Sequence, residues 1–178
     1  MNFSIIKKFY FIIPALLLFS SCESKFEPPK TNFNSTDFPN QESWNTNVTF
    51  SDSGVVKAIL KAGHISVYNS RGYTLIDNSA VVDFYKGGEK VSTLTGKRGK
   101  VLDATKDIEI YDSVVVVNNE GSVLKTEKLF WNDKTQRVST DVYVKIITPK
   151  ENIEGIGFES DQSLKNYSIF KVIGTFSK

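Results

Sequence analysis

The sequence predicts an all-β fold built from many short strands, on three observations. Short runs rich in β-branched and aromatic residues recur from Val48 onward. Turn signals such as Asp52-Ser53-Gly54 separate these runs, and all 11 glycines lie between Gly54 and Gly174. No stretch in this part has the apolar period and length of an ordinary helix. Such strands are typical of a sandwich, a barrel or a β-solenoid, and the residues alone leave these three open.

The strands are predicted individually from β-rich runs between turn signals. Their expected ranges are 48–51, 55–61, 64–68, 79–85, 90–95, 99–103, 107–117, 122–131, 136–148, 153–159 and 167–176.

Alternation within the strands predicts a sheet with one apolar face and one wet face. Val56, Ala58 and Leu60 fall on one side of a strand, and Lys57 and Lys61 fall on the other. The same period of two recurs in later strands. The apolar face either closes as a packed core or lines a ligand cavity, and the pattern fits both.

Residues 1–21 are predicted to be a lipoprotein signal peptide. Lys7 and Lys8 precede an uncharged, largely apolar run over residues 9–19, which is shorter than the roughly 20 residues that span a bilayer. Ser20-Ser21-Cys22 then resembles a bacterial lipobox, although Phe19 replaces the usual Leu. Cys22, the only cysteine, is the predicted lipid anchor. An uncleaved anchor and a plain signal peptide are the alternatives.

The rest of the chain divides by composition into a tether and a domain. Residues 22–47 contain three prolines and five asparagines, which predicts a flexible, disordered tether, and residues 48–178 form the β domain. After removal of residues 1–21, 20 basic and 20 acidic side chains remain, so charge balance gives no case for nucleic-acid binding.

Catalytic and metal-binding residues are scarce. His64 is the only histidine, and no cluster has metal-ligand spacing. The four acids between residues 103 and 112 fall on wet strand positions, where carboxylates are usually solvated. The sequence therefore predicts a protein that is not an enzyme and uses no cofactor.

One basic cluster, Gly96-Lys97-Arg98-Gly99-Lys100, has glycines and cations that suit a phosphate. It lacks the strand-loop-helix context of a nucleotide loop, so a charged β-turn is the favoured interpretation.

Four tracts, in this order and spacing, resemble the LptC family of lipopolysaccharide export. Residues 50–65 look like its opening strands, and residues 121–131 resemble its central hairpin. Residues 138–146 resemble the strand that carries the family's Thr-Asp pair, and residues 153–164 resemble its closing Gly-x-Gly-Phe and Asp-x-x-Leu element. The resemblance extends over residues 48–176.

The resemblance implies an open β-jellyroll, a twisted two-sheet sandwich of antiparallel strands, whose apolar interior holds the acyl chains of lipopolysaccharide. It implies docking, through free sheet edges, onto an inner-membrane ABC exporter of the Lpt system and onto an LptA-like periplasmic bridge protein. The first strands after Val48 and the last strand, residues 169–176, are predicted to be these edges. The best-known LptC proteins have an uncleaved transmembrane helix, whereas a lipid anchor on the periplasmic side of the inner membrane is predicted here.

Eleven inward residues are predicted to line the lipid-binding interior. They are Val56, Ala58, Leu60, Ile108, Ile110, Val116, Leu124, Val138, Val144, Ile146 and Phe158.

Three alternatives to lipopolysaccharide transport remain open at this point. One is a generic lipoprotein that binds another lipid or a glycan, another is an enzyme that uses His64 or the acids near residues 107–112, and the third is an assembly protein that pairs strands without holding lipid.

Overall fold

A computed structural model describes residues 38–177, which form ten antiparallel strands. They are β1 (Gln41–Asp52), β2 (Val55–Tyr68), β3 (Tyr73–Lys86), β4 (Glu89–Gly96), β5 (Arg98–Leu102), β6 (Ile108–Asn118), β7 (Val123–Asn132), β8 (Arg137–Ile147), β9 (Glu151–Asp161) and β10 (Tyr167–Ser177).

All ten strands belong to one sheet with two free edges. The order is β1-β2-β3-β4-β6-β7-β8-β9-β10, and β5 lies in line with β4 between β3 and β6. The predicted all-β, jellyroll-like fold is confirmed, and β1 and β10 are the edges as predicted. A single continuous sheet supplies both layers of the sandwich.

Three strand boundaries differ from the prediction. β1 begins at Gln41, so residues 41–47 are strand although their composition predicted tether. β2 is one strand through Gly63, where two strands were predicted, and β3 begins at Tyr73 rather than at residue 79. In β2 and β3 a turn-like residue inside the strand marks a local bend, which the sequence pattern had predicted as the end of a strand. In β1 the asparagines of residues 41–47 had predicted a tether.

These bends align across the sheet in one row, here called the bend line. Left-handed backbone angles occur at Asn45, Asn78, Ser79, Asp112, Ser113 and Gly157. The pairings on either side place Asn45 opposite Gly63, and Gly63 next to Asn78. Register shifts in the β7–β8 and β8–β9 pairs continue the row. Asn, Asp and Gly tolerate these angles best, which explains why most of these positions carry them.

The bend line separates β4 from β5, which lie in line, and it divides each of the other strands into two segments. The segments on its two sides face each other as two layers. Layer 1 comprises residues 41–44, 64–68, 73–77, 98–102, 108–111, 128–132, 137–140, 158–161 and 167–169. Layer 2 comprises residues 46–52, 55–62, 80–86, 89–96, 114–118, 123–126, 143–147, 151–156 and 171–177.

Aromatic contacts join the two layers. The ring of Trp131 in layer 1 lies 5.9 Å from that of Phe50 and 5.5 Å from that of Phe84, both in layer 2. Large aromatic side chains bury much apolar area, so this cluster is a main source of cohesion between the layers. The turns opposite the bend line face each other across a gap, here called the seam.

The one helical element among residues 38–177 is a 3₁₀ turn at Asn69–Arg71. No helix in that part of the chain has the length and apolar character to cross a bilayer.

The bend line gives a test of the fold at Gly63. A Cβ atom added there would lie 2.0 Å from the backbone oxygen of Asn78, which cannot rotate away. We expect Gly63→Ala to lower the free energy of unfolding by about 3 kcal/mol, measured by urea denaturation. Gly174→Ala is the control, since its nearest atoms belong to the exposed ring of Phe176 at 3.3 Å. Equal losses in the two variants would contradict a special role for the bend.

Candidate functional site

The predicted lipid-binding residues lie inside the fold, but most are packed against other side chains. Ten of the eleven are at most 1% exposed, and Val56 is half-buried beside the seam. Nine of these ten side chains are close-packed against their neighbours in the middle of the interior, and the tenth, Leu60, borders a cavity. They form a core that a ligand would have to part.

An apolar cavity of about 380 Å³ opens between the layers at the β1 end. Its lining comes from β1, β2, β3 and β5 together with the turn after β5, and consists of Gln41, Ser43, Thr46, Val48, Thr49, Phe50, Leu60, Ile65, Val67, Thr74, Val101, Asp103 and Lys106. Leu60 is the one predicted lining residue that borders it. This volume lies near the lower end of the range for ligand pockets.

Sequence reasoning missed most of the cavity lining. Ile65 and Val67 lie inward in β2, and Phe50 lies inward in β1. The alternation that places Leu60 inward continues along β2 to Ile65 and Val67 only because the bulge at Gly63 shifts the alternation by one residue. A two-residue period cannot reveal such a shift by itself.

The seam is wetter than the cavity and is partly closed by the loop between β9 and β10. A second cavity, of about 340 Å³, lies there between turns of both layers, with Val56 on one side and Gln136 on the other. Beyond it, the hydroxyl of Ser92 in layer 2 donates to the backbone oxygen of Gln162 at 2.5 Å. The amide of Asn118 donates to the backbone oxygen of Ser163 at 2.7 Å. These bonds tie layer 1 to layer 2 at the far end of the interior.

Charged groups surround the junction of the seam with the β1-end cavity. The backbone N–H of Asp133 donates to Asp107 at 2.9 Å. Burial raises the pKa of the Asp133 carboxyl above its ordinary value, and the nearby charges of Asp107 and Asp52 raise it further. Lys57 and Lys106 oppose this rise to a smaller extent. Acids outnumber lysines in this group, so the junction of the seam with the cavity is not a strongly basic surface.

His64 lies on the outer face of layer 1 and contacts two residues of the edge strand. Its Nε2 lies 3.1 Å from a carboxylate oxygen of Glu42, and its ring stacks on that of Trp44 at 4.9 Å between centroids. The imidazole thus joins β2 to β1. These contacts give His64 a structural role between the two strands.

The four acids between residues 103 and 112 have separate partners. Asp103 accepts from Thr74, Asp107 from the N–H of Asp133, and Glu109 from Tyr111. Asp112 pairs with Arg98 at 2.5 Å across the bend line. Among residues 38–177 no group of three histidine, cysteine or acidic side chains has a geometry suited to a metal ion.

The basic cluster at residues 96–100 is a bend between two strands in line rather than the charged β-turn that the sequence favoured. Gly96 ends β4 and Arg98 begins β5, and both strands lie in one line between β3 and β6. The break at Lys97 between β4 and β5 therefore lies on the bend line. Gly96 and Gly99 leave room for the side chain of Ile110, which a Cβ atom at either position would approach within 2.7 Å.

The predicted signal peptide, Cys22 and the tether up to residue 37 lie outside the described residues. Their assignment stays a prediction from the sequence.

The raised pKa of Asp133 predicts a stabilising substitution. A carboxyl whose pKa is raised by folding costs stability at neutral pH, and this cost disappears as the pH falls through the folded pKa. We expect Asp133→Asn to raise the urea midpoint at pH 7 and to lose this advantage near pH 4.

Asp161→Asn is the matched control with the opposite sign. Burial acts to raise the pKa of Asp161, but hydrogen bonds from Asn166 at 2.9 Å and Ser163 at 2.8 Å outweigh it and lower the pKa. This variant should be less stable than the parent at pH 7. A loss of stability in both variants would contradict the assignment at Asp133.

The comparison with known families agrees with this architecture. Residues 13–173 match the family described as LptC, lipopolysaccharide-assembly, LptC-related. No curated protein matches the sequence. Because the match extends over most of the chain and the fold is the jellyroll-like sheet expected of that family, the protein belongs to the LptC family and has a role in lipopolysaccharide transport.

Proposed function

We propose that this protein is a lipid-anchored periplasmic carrier, fixed to the inner membrane through Cys22. In this proposal it accepts lipopolysaccharide from an inner-membrane ABC exporter and passes it to an LptA-like bridge protein. The acyl chains travel between the two layers, and the protein has no catalytic role. The observation that carries the proposal is the apolar cavity between the layers at a free edge of the sheet.

Hydrophobic burial supplies the driving force for holding acyl chains. Each methylene that leaves water contributes roughly 0.8 kcal/mol, so a chain crossing the aqueous periplasm needs a continuous apolar path. A cavity of about 380 Å³ is too small for the several acyl chains of a lipopolysaccharide. Loading therefore requires the layers to separate, with contacts between protein side chains replaced by contacts with lipid.

The two edges suit partners on both sides of the carrier. β1 pairs only with β2, and β10 pairs only with β9, so each edge has backbone groups available for a further strand. β10 also exposes apolar side chains, with Phe170 69%, Ile173 59% and Phe176 59% exposed. An exposed apolar edge promotes aggregation unless a partner covers it, which favours a docking role for β10.

The path of the lipid can be tested by photo-crosslinking in living cells. A crosslinking residue at Val48 or Val67, both half-buried and lining the cavity, should capture lipopolysaccharide. Val117 on the outer face of β6 is the control, because it is 44% exposed and points away from the interior. Capture from Val117 alone, or from none of the three, would reject the interior path.

The edges can be tested in the same cells. A crosslinker at the exposed Thr49 of β1 or at Phe176 of β10 should capture an exporter subunit or the bridge protein, since added strands would lie against these residues. Val117 again serves as the control, because β6 has neighbours on both sides. Recovery of neither partner from either edge would count against strand addition.

A further inference from the structure

Two polar atoms deep in the interior have no hydrogen-bond partner among the described residues. They are the indole Nε1 of Trp131 and the hydroxyl oxygen of Ser160, whose residues are 1% and 0% exposed. Buried polar groups are nearly always paired in native proteins, so an unpaired one calls for an explanation. A third such atom, Oδ1 of Asn152, belongs to a half-buried residue in another row of the sheet.

Both groups lie in one row that runs across the strands. Trp131 of β7 pairs with Val138 of β8, and Val138 pairs with Ser160 of β9. Neighbouring strands are about 4.8 Å apart, so the backbones of Trp131 and Ser160 are separated by about 10 Å. This separation runs across the strands, from the β1 edge toward the β10 edge. An acyl chain that lies between the layers in this direction would pass Trp131 and then Ser160.

The row begins close to the β1-end cavity. Phe50 lines that cavity, and the ring of Trp131 lies directly behind it, at 5.9 Å between centroids. The indole also contacts the ring of Phe84, at 5.5 Å between centroids, and Trp131 pairs with Val138 in the row. These surroundings offer few polar partners to a water molecule, which typically makes two to four hydrogen bonds when buried.

We propose that the indole N–H of Trp131 and the hydroxyl of Ser160 bind oxygen atoms carried by an acyl chain. The ligand class is a hydroxylated or ester-linked fatty acyl chain, in which a hydroxyl or carbonyl oxygen accepts from the indole or pairs with the serine. This inference rests on the proposed function, because it needs acyl chains between the layers. A buried site with unpaired polar groups discriminates against a ligand that lacks the matching oxygen.

Two fatty acids of equal length test this selectivity on the full chain. The probes are 3-hydroxytetradecanoate and tetradecanoate, which differ in one hydroxyl group, and binding is measured by titration calorimetry. The unmodified protein should bind the hydroxylated probe about three- to tenfold more tightly, the usual gain from one net hydrogen bond. The probe's single hydroxyl pairs with one of the two groups, so Ser160→Ala or Trp131→Phe should reduce this ratio toward one. The ratio compares two probes in the same variant, so a change in packing that weakens both probes cancels.

A stability measurement separates a ligand site from ordinary hydrogen bonding. Removing an unpaired hydroxyl deletes no bond, so Ser160→Ala should leave the melting temperature unchanged or higher. Ser92→Ala is the matched control, because Ser92 is also buried but donates to the backbone oxygen of Gln162. That control should lower the melting temperature and keep the preference for the hydroxylated probe.

The outcomes are distinct for this inference and for the proposed function. Equal affinity of the unmodified protein for both probes would overturn the inference and leave the carrier function in place. A preference that survives in both Ser160→Ala and Trp131→Phe would do the same, as would a loss of stability in Ser160→Ala equal to that in Ser92→Ala. Failure of the unmodified protein to bind either probe or lipopolysaccharide would overturn both.

Discussion

Each strand that crosses the sheet has to bend at the same level if the backbone ladders are to remain paired on both sides. Residues on the bend line meet this requirement by leaving the extended conformation together, from Asn45 in β1 to Gly157 in β9. A bend displaced by one residue in a single strand would turn the following side chains to the opposite face. The interior therefore exists because the irregularities are in register.

A folded sheet of this kind differs from a closed barrel in having two free edges. The interior opens at the β1 end, where the apolar cavity meets solvent, and the outermost strand at the other end exposes Phe170 and Phe176. Edges of this type normally threaten solubility. Under the proposed function, the same edges are the places where the sheets of partner proteins would join.

The hydrogen-bonded polar groups at the seam lie apart from the apolar middle of the interior. Close-packed apolar side chains such as Leu124, Val144 and Phe158 occupy the middle, whereas Ser92 and Asn118 face the loop that closes the far seam. Apolar contacts can be exchanged for contacts with acyl chains at little net cost. The hydrogen bonds at the seam are replaceable by water, as the proposed separation of the layers during loading requires.

The sequence by itself determined the all-β class, the inward faces of most strands, and the family, because alternation and turn residues are local signals and the family tracts follow in order. Ala58, Ile110 and Val144 could be placed inside from their own strands alone. Tertiary structure decided that Gly63 and Asn78 mark bends rather than strand ends, and that Lys97 marks a bend between two strands in line, since a bend and a turn use the same residue types. It also decided which inward residues border a cavity and which are packed, because that depends on how the two layers approach each other, and no pattern within one strand records that distance.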